Sequence, residues 1–429
     1  MTTSQATMEA GPASHRGAQP DKDLALAAQR ALMSRAARAN PYPYYAVLRE
    51  HGPVKDPDTG VAMIATFDAC DRILRDPVFR VEDRLWISQF FPDRLERPST
   101  QIIVDSMIAT NPPRHERMRR LVSWAFTPRR VAAMHESVRR RIAELVDRIA
   151  ELGSGGQPVD FVAEFAYRVP VNVVGDILGI PEVDRPWFAP LAYDLDATLE
   201  LHQSPHELER ADRAARELLQ YIAELVASRR REPGDDLVSG LIEATKGIGP
   251  DGDRLTEDEL LANIALVLVN GFATTNDLLT NGLAALLERP DHLQRLRANP
   301  DLAPAYVEEM LRFDAPVQLT LRWAGEETEI CGIRLNRYDP VIVLIGSANR
   351  DAARFINPDE FDPDRPNNGS LSFGAGPHFC FGAPLARMEA RLAFPMLLTR
   401  CPKIAPAERP RRRNRLTLRG FESYPITVG

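Results

Sequence analysis

The sequence is short of the residues that mark several large classes of protein. It has four cysteines in 429 residues, Cys70, Cys331, Cys380 and Cys401, none in a C-x-x-C pair and none at zinc-ligand spacing. That excludes a disulfide scaffold or zinc module and suits a reducing compartment. No apolar run reaches the roughly 20 residues that cross a bilayer. Residues 1–23 are polar and rich in Gly, Ala and Ser, without the apolar centre of a signal peptide. They read as a disordered lead. Positive charge is also in deficit: 53 Lys and Arg stand against 60 Asp and Glu, a net charge of −7. That disfavours a generic nucleic-acid binder. What remains is ordinary globular composition, 44% hydrophobic and 26% charged, long enough for a large core.

The most concentrated chemistry lies in Phe373-Gly374-Ala375-Gly376-Pro377-His378-Phe379-Cys380-Phe381-Gly382. Gly374 and Gly376 permit φ > 0, so the loop can turn sharply, and Gly382 lets a flat ligand lie close to the backbone. A helix-ready run, Ala383 to Arg391, follows at once. A helix start is electropositive and presents free N–H groups. Sulfur placed there is favoured as thiolate, the form that ligates metal. A lone cysteine is otherwise a small buried hydrophobe.

The decamer resembles the haem-binding loop of the cytochrome P450 family, Phe-Gly-x-Gly-x-(His or Arg)-x-Cys-x-Gly, with every fixed position filled. The resemblance runs from about Pro41 to the C-terminus. It implies one domain over residues 24–429, mainly α with a smaller β portion. Haem b is expected between the long central helix and the cysteine loop, with Cys380 as axial thiolate. Such ligation donates electron density to iron and favours O–O cleavage. The family's membrane-anchored members carry an apolar N-terminal helix, so this chain is expected to be the soluble bacterial type, cytoplasmic, with no membrane and no nucleic acid as partner.

Other segments carry the resemblance further. Thr256 to Glu288 is the longest helical pattern, centred on Asn270-Gly271-Phe272-Ala273-Thr274-Thr275. A mid-helix glycine costs about 1 kcal/mol relative to alanine, so Gly271 implies close approach to the backbone, with a helix bulge there. The family pattern is Ala-Gly-x-(Asp/Glu)-Thr-(Thr). Gly271, Thr274 and Thr275 match, but the acid is replaced by Ala273 and the first alanine by Asn270. By resemblance Thr274 handles dioxygen and water, while Asn270, read from its own chemistry, is a buried amide that hydrogen-bonds ligand or substrate. Asp277, one turn past Ala273, reads as a structural carboxylate or as a substitute acid acting through water. Arg114-His115-Glu116-Arg117-Met118-Arg119 resembles a family helix in which His115 and Arg119 reach the haem propionates; Arg322 and His378 are implied as further partners. Glu309-x-x-Arg312 and the Phe361-Asp362-Pro363-Asp364-Arg365 segment resemble a buried structural triad. Phe373, Gly382 and Gly271 are implied to contact the cofactor. Trp86, Phe90, Val317 and Phe421 are implied to face substrate. Nine arginines between 114 and 141, against Glu116 and Glu136, form a basic island suited to an acidic electron donor.

Elsewhere the pattern is coarser. Residues 54–66 read as a hairpin around Pro57-Asp58-Thr59-Gly60. Residues 83–108 lack clean periodicity, 139–245 read as successive amphipathic helices, and strands are expected from Pro316 to Ser347. The leading expectation is a monooxygenase that inserts one oxygen atom from O2 into a small organic substrate, in the manner of secondary metabolism. No flavin or iron–sulfur segment is visible, so electrons are expected from a separate ferredoxin and ferredoxin reductase. Two rivals stand beside it. With Ala273 in the acid's place, the enzyme could couple, nitrate, desaturate or use peroxide. Alternatively, the protein only binds a ligand at a haem.

Overall fold

A computed structural model describes residues 22–247 and 253–429. Most of the expected disordered lead lies outside the described residues, and the first helix, Lys22–Ala31, begins at its end.

The centre of the molecule is the helix Glu257–Leu287. Its start is fixed by a capping box: Thr256 accepts from the Glu259 amide while the Glu259 carboxylate accepts from the Thr256 amide. Apolar residues occur on all sides of it, and the helix is accordingly buried nearly all round. No bulge interrupts it at Gly271. The missing side chain there serves packing instead, because a Cβ would come within 2.8 Å of Val174 on the helix Arg168–Leu178. At the far end Gly282 admits the Phe394 ring and the Met310 sulfur.

Around this axis pack the expected helices: His135–Leu152, Arg168–Leu178, Phe188–Asp196, Pro205–Arg231 and Leu237–Thr245. The breaks fall at the predicted Gly153–Gly156, Pro181 and Pro233-Gly234. The predicted break at Pro205 also holds: Pro205 is the first residue of a new helix, behind a Ser204 cap. The cysteine helix, Ala383–Arg400, packs on His135–Leu152 and on Ala303–Phe313.

The β portion is small. Its largest sheet orders Ala62–Ile64, Pro340–Val343, Thr320–Ala324 and Phe79–Arg80; the first pair is parallel and the others antiparallel. The predicted hairpin at 54–66 reduces to one antiparallel bridge, Lys55 with Ala62. Ala62–Ile64 pairs instead with distant Pro340–Val343, where both faces are buried. The aperiodic stretch 83–108 holds three short helices, Arg84–Phe90, Pro92–Glu96 and Pro98–Val104. Each is too short to show a period, and two begin with proline. Among the described residues no helix is long and apolar enough to cross a membrane.

Candidate functional site

The cysteine loop folds as its glycines require. Gly374 and Gly376 take φ of +70° and +67°, and a Cβ at Gly376 would collide with the Leu74 carbonyl. The amide of Cys380 donates to Phe373 O at 2.9 Å, closing the loop. Gly382 has ordinary helical angles and caps the helix that follows. The amides of Gly382 and Ala383 are aimed at the Cys380 sulfur and favour its thiolate, but burial outweighs them and pushes the thiol up. The helix start alone therefore does not ionise Cys380. A bound metal would, since a coordinating thiol gives up its proton.

Cys380 opens on a cavity of about 960 Å³, lined on the opposite side by the central helix through Leu266, Asn270, Gly271, Thr274 and Leu278. Thr274 Oγ1 donates to Asn270 O at 3.0 Å, and Asn270 Nδ2 to Leu266 O at 3.3 Å. Both side chains are half-buried against the cavity rather than fully enclosed. Ala273 is buried.

The predicted basic and imidazole groups converge on the same cavity. Arg119 donates to Phe379 O at 2.7 Å, tying its helix to the cysteine loop. His115 and His378 lie ring against ring, centroids 4.0 Å apart. Burial, with Arg119 nearby, pulls His115 down to about 4, and burial with His115 beside it pulls His378 lower still. Both imidazoles are thus neutral. His115 Nδ1 is buried without a partner among the described residues. Arg322 is buried, and among the described residues no carboxylate lies within ion-pair distance of it; its Nη1 bonds Thr320 Oγ1 and Leu321 O. Burial pulls it down to about 10, against the pull of Glu82. A buried cation and an orphaned ring nitrogen on one rim are the groups able to hold a flat cofactor carrying carboxylates.

Of the predicted substrate contacts, Trp86, Phe90 and Val317 line the cavity. Trp86 is anchored by Nε1 donating to Tyr338 O. Phe421 does not line it. It is buried edge-to-face on Tyr424 under the Arg412 guanidinium, in the main core. The tail reaches the cavity a few residues earlier, with Thr417 and Leu418, because Leu418 bridges to Val317. Phe373 lines the cavity beneath the Arg387 guanidinium.

The basic island differs from expectation. Arg114 and Arg117 both bond Glu259, Arg120 pairs with Asp253, and Arg141 with Asp176 and Glu182. Much of its charge is thereby neutralised by acids distant in sequence. Asp277 is likewise structural in its main contact, an ion pair with Arg413.

Two cavity acids escaped the sequence reading. Glu82 is raised to about 7 by burial, opposed by Arg94 and Arg322. Glu389 is raised to about 8 by burial, and its Oε2 has no partner among the described residues. Its spacing of three and four residues from Ala386 and Leu385, which share the wall, was the available signal.

The chain is similar to known proteins in sequence and in fold. The family model "Cytochrome P450" matches residues 188–418. The chain is 36% identical to the cytochrome P450 monooxygenase PikC of Streptomyces venezuelae, covering 90% of this chain and 91% of that one. It is 39% identical to the 6-deoxyerythronolide B hydroxylase of Saccharopolyspora erythraea, over 75% of this chain and 78% of the other. The crystal structure of Mycobacterium smegmatis CYP164A2 without ligand superposes with a TM-score of 0.85 at 34% identity, covering 94% of this chain and all of that one. The chain belongs to the cytochrome P450 family, the haem-dependent monooxygenases, and is an oxidoreductase of that kind.

Proposed function

We propose that this protein holds haem b through Cys380 and inserts one atom of dioxygen into a small organic substrate. The observation that carries the reading is that the Cys380 sulfur and the Thr274 hydroxyl line one cavity, together with the buried Arg322 guanidinium and the unpartnered Nδ1 of His115. The residues present fit the cofactor. Cys380 offers a sulfur flanked by backbone amides. His115, His378, Arg119 and Arg322 offer donors and charge to propionates, and Phe373, Gly271 and Gly382 offer close-packed walls. Bound haem supplies the activation of dioxygen that no side chain can perform.

The chain's own residues do the rest. Trp86, Phe90, Val317 and Leu418 give the cavity an apolar lining that orients an organic substrate and excludes bulk water. Thr274 and Asn270 present a hydroxyl and an amide where protons are needed. The electrons are taken to come from a separate ferredoxin and its reductase. The likeness to the 6-deoxyerythronolide B hydroxylase supports a substrate from secondary metabolism. A second reading, atypical oxidation such as coupling or desaturation, is favoured only by the buried methyl of Ala273 in the acid's place.

The reduced, carbon-monoxide-bound protein is expected to show the far-red-shifted band of thiolate ligation, and Cys380→Ser to lose it with most activity. An unchanged spectrum in the variant would overturn the assignment. Product analysis with dioxygen and a ferredoxin system separates hydroxylation from the second reading.

A further inference from the structure

The C-terminal strap Arg411 to Arg419 crosses the central helix and is held there by acids. Arg412 pairs with Asp314, Arg413 with Asp277, and Arg419 with Asp314. Arg415 donates to Tyr193 O at 2.6 Å, and its Nη1 stands 4.0 Å from Asp196. Glu200 accepts from the amides of Leu416 and Thr417. Most of this is ordinary ion pairing. The part around Asp196 and Asp277 is not. Both carboxylates are buried to 1% exposure or less. Among the described residues, both oxygens of Asp196, Oδ2 of Asp277, Nε and Nη1 of Arg413, Nη1 of Arg415 and Oδ1 of the adjacent Asn276 are enclosed without a hydrogen-bond partner.

So many unpartnered polar atoms in one place are not tolerated dry; internal water is the usual partner. A gap of 4.0 Å between charged groups is also a distance to be bridged by water. The cluster has an outer end, because the Arg415 side chain is 18% exposed and Tyr193 is half-buried. It has an inner end as well. Asp277 lies three residues after Thr274 on the same helix, a spacing at which side chains are neighbours, and Thr274 opens on the cavity.

We propose that the Asp196–Arg413–Arg415–Asp277 cluster is a hydrated proton path and that Asp277 is the donor serving Thr274. This rests on the monooxygenase reading, in which O2, two electrons, two protons and a C–H bond give an alcohol and water. In each proton step the Asp277 O–H bond breaks. Its proton passes by water to Thr274 Oγ1, which releases its own hydroxyl proton to the oxygen substrate. The Asp277 carboxylate left behind is paired with Arg413, and it is reprotonated from Asp196, which draws on solvent beside Arg415. No electron moves in the relay. The groups facing the two acids are Arg413, Arg415, Tyr193, Glu200, the Asn276 amide and each other. Burial, offset by Arg413 and Arg415, raises Asp277 to about 6 and Asp196 to about 7, so both can give and take protons near neutrality.

The test uses the haem-loaded protein and the variants Asp196→Asn, Asp277→Asn, Asp277→Glu and Glu389→Gln. Infrared difference spectra against pH should show protonated carboxyls in the wild type that vanish as pH rises through about 6 to 7, and Asp196→Asn and Asp277→Asn should each remove one. Product formed per electron should fall roughly tenfold or more in both Asn variants, with an enlarged solvent deuterium effect, while Asp277→Glu restores it. A purely structural role would lower thermal stability without changing the isotope effect. Should Asp277→Asn fail to fold, Asp196→Asn carries the test, because it removes no hydrogen bond. Wild-type coupling and isotope effect in Asp196→Asn would overturn the path, as would a loss confined to Glu389→Gln. A wild type lacking the thiolate band would instead sink the monooxygenase reading, and the infrared titration would still report on the cluster.

Discussion

At the scale of single residues, Thr274 and Arg322 make separable demands. Thr274 is a hydroxyl of the central helix that lines the cavity, and it donates to the Asn270 carbonyl of its own helix. Replacing it with alanine should leave haem content unchanged and sharply lower product per electron, the remaining electrons appearing as peroxide. Ala273→Asp should keep that ratio or raise it. An unaltered ratio in Thr274→Ala would mean that the hydroxyl takes no part in proton delivery. Arg322 is a buried guanidinium with no carboxylate within ion-pair distance among the described residues, only the longer-range pull of Glu82. In the unloaded protein it is an uncompensated charge, so Arg322→Leu should hold or raise the apoprotein's melting midpoint. In the loaded protein its loss should speed haem transfer to an acceptor. Equal transfer rates would show that Arg322 points at something other than the cofactor.

At the scale of elements, sequence legibility followed the kind of signal. The central helix was readable to within a residue at each end, because Thr256, Glu259 and a long apolar run each mark it. Glu309 and Arg312 were readable as a motif and prove fully buried, 2.7 Å apart, with Arg365 a further 3.6 Å from the same carboxylate. Nothing local distinguishes such a pair from a surface pair worth tenths of a kcal/mol; only the Phe361–Arg365 segment did. Phe421 was misplaced because a tail has no period to set its facing, and one bridge at Val317 decides which residues reach the cavity. The neutralised arginines were illegible for a similar reason, since Glu259 and Asp253 lie more than 100 residues away in sequence. The triad gives a firm expectation. Glu309→Gln leaves two buried guanidinium groups short of a counter-charge and should cost about 3–5 kcal/mol in denaturant unfolding. A loss below about 1 kcal/mol would put the pair in the class of solvent-exposed bridges.

At the scale of the whole molecule, the buried titratable groups set how stability responds to pH. Glu389 is raised to about 8 by burial alone, Asp196 to about 7 and Asp277 to about 6, in each case with burial as the largest cause. His115 and His378 are displaced the other way, kept neutral by burial. In an unfolded chain the carboxyls release their protons near 4 and the histidines near 6.5. Above about 6.5, therefore, the histidines are neutral in both states and drop out. The native chain still holds carboxyl protons that the unfolded chain has lost. Stability then falls as pH rises, from about 6.5 until the last of these groups ionises in the native state near 8. Below about 6.5 the unfolded chain gains histidine protons that the native chain refuses, which opposes any further gain in stability on acidification. The melting midpoint should accordingly be higher at about pH 6.5 than at pH 8. Glu389→Gln removes the group with the highest value, so its midpoint should decline less between about 7 and 8 than that of the wild type. Parallel declines in the two proteins would mean that Glu389 is already ionised in the native state, with a counter-charge supplied from elsewhere.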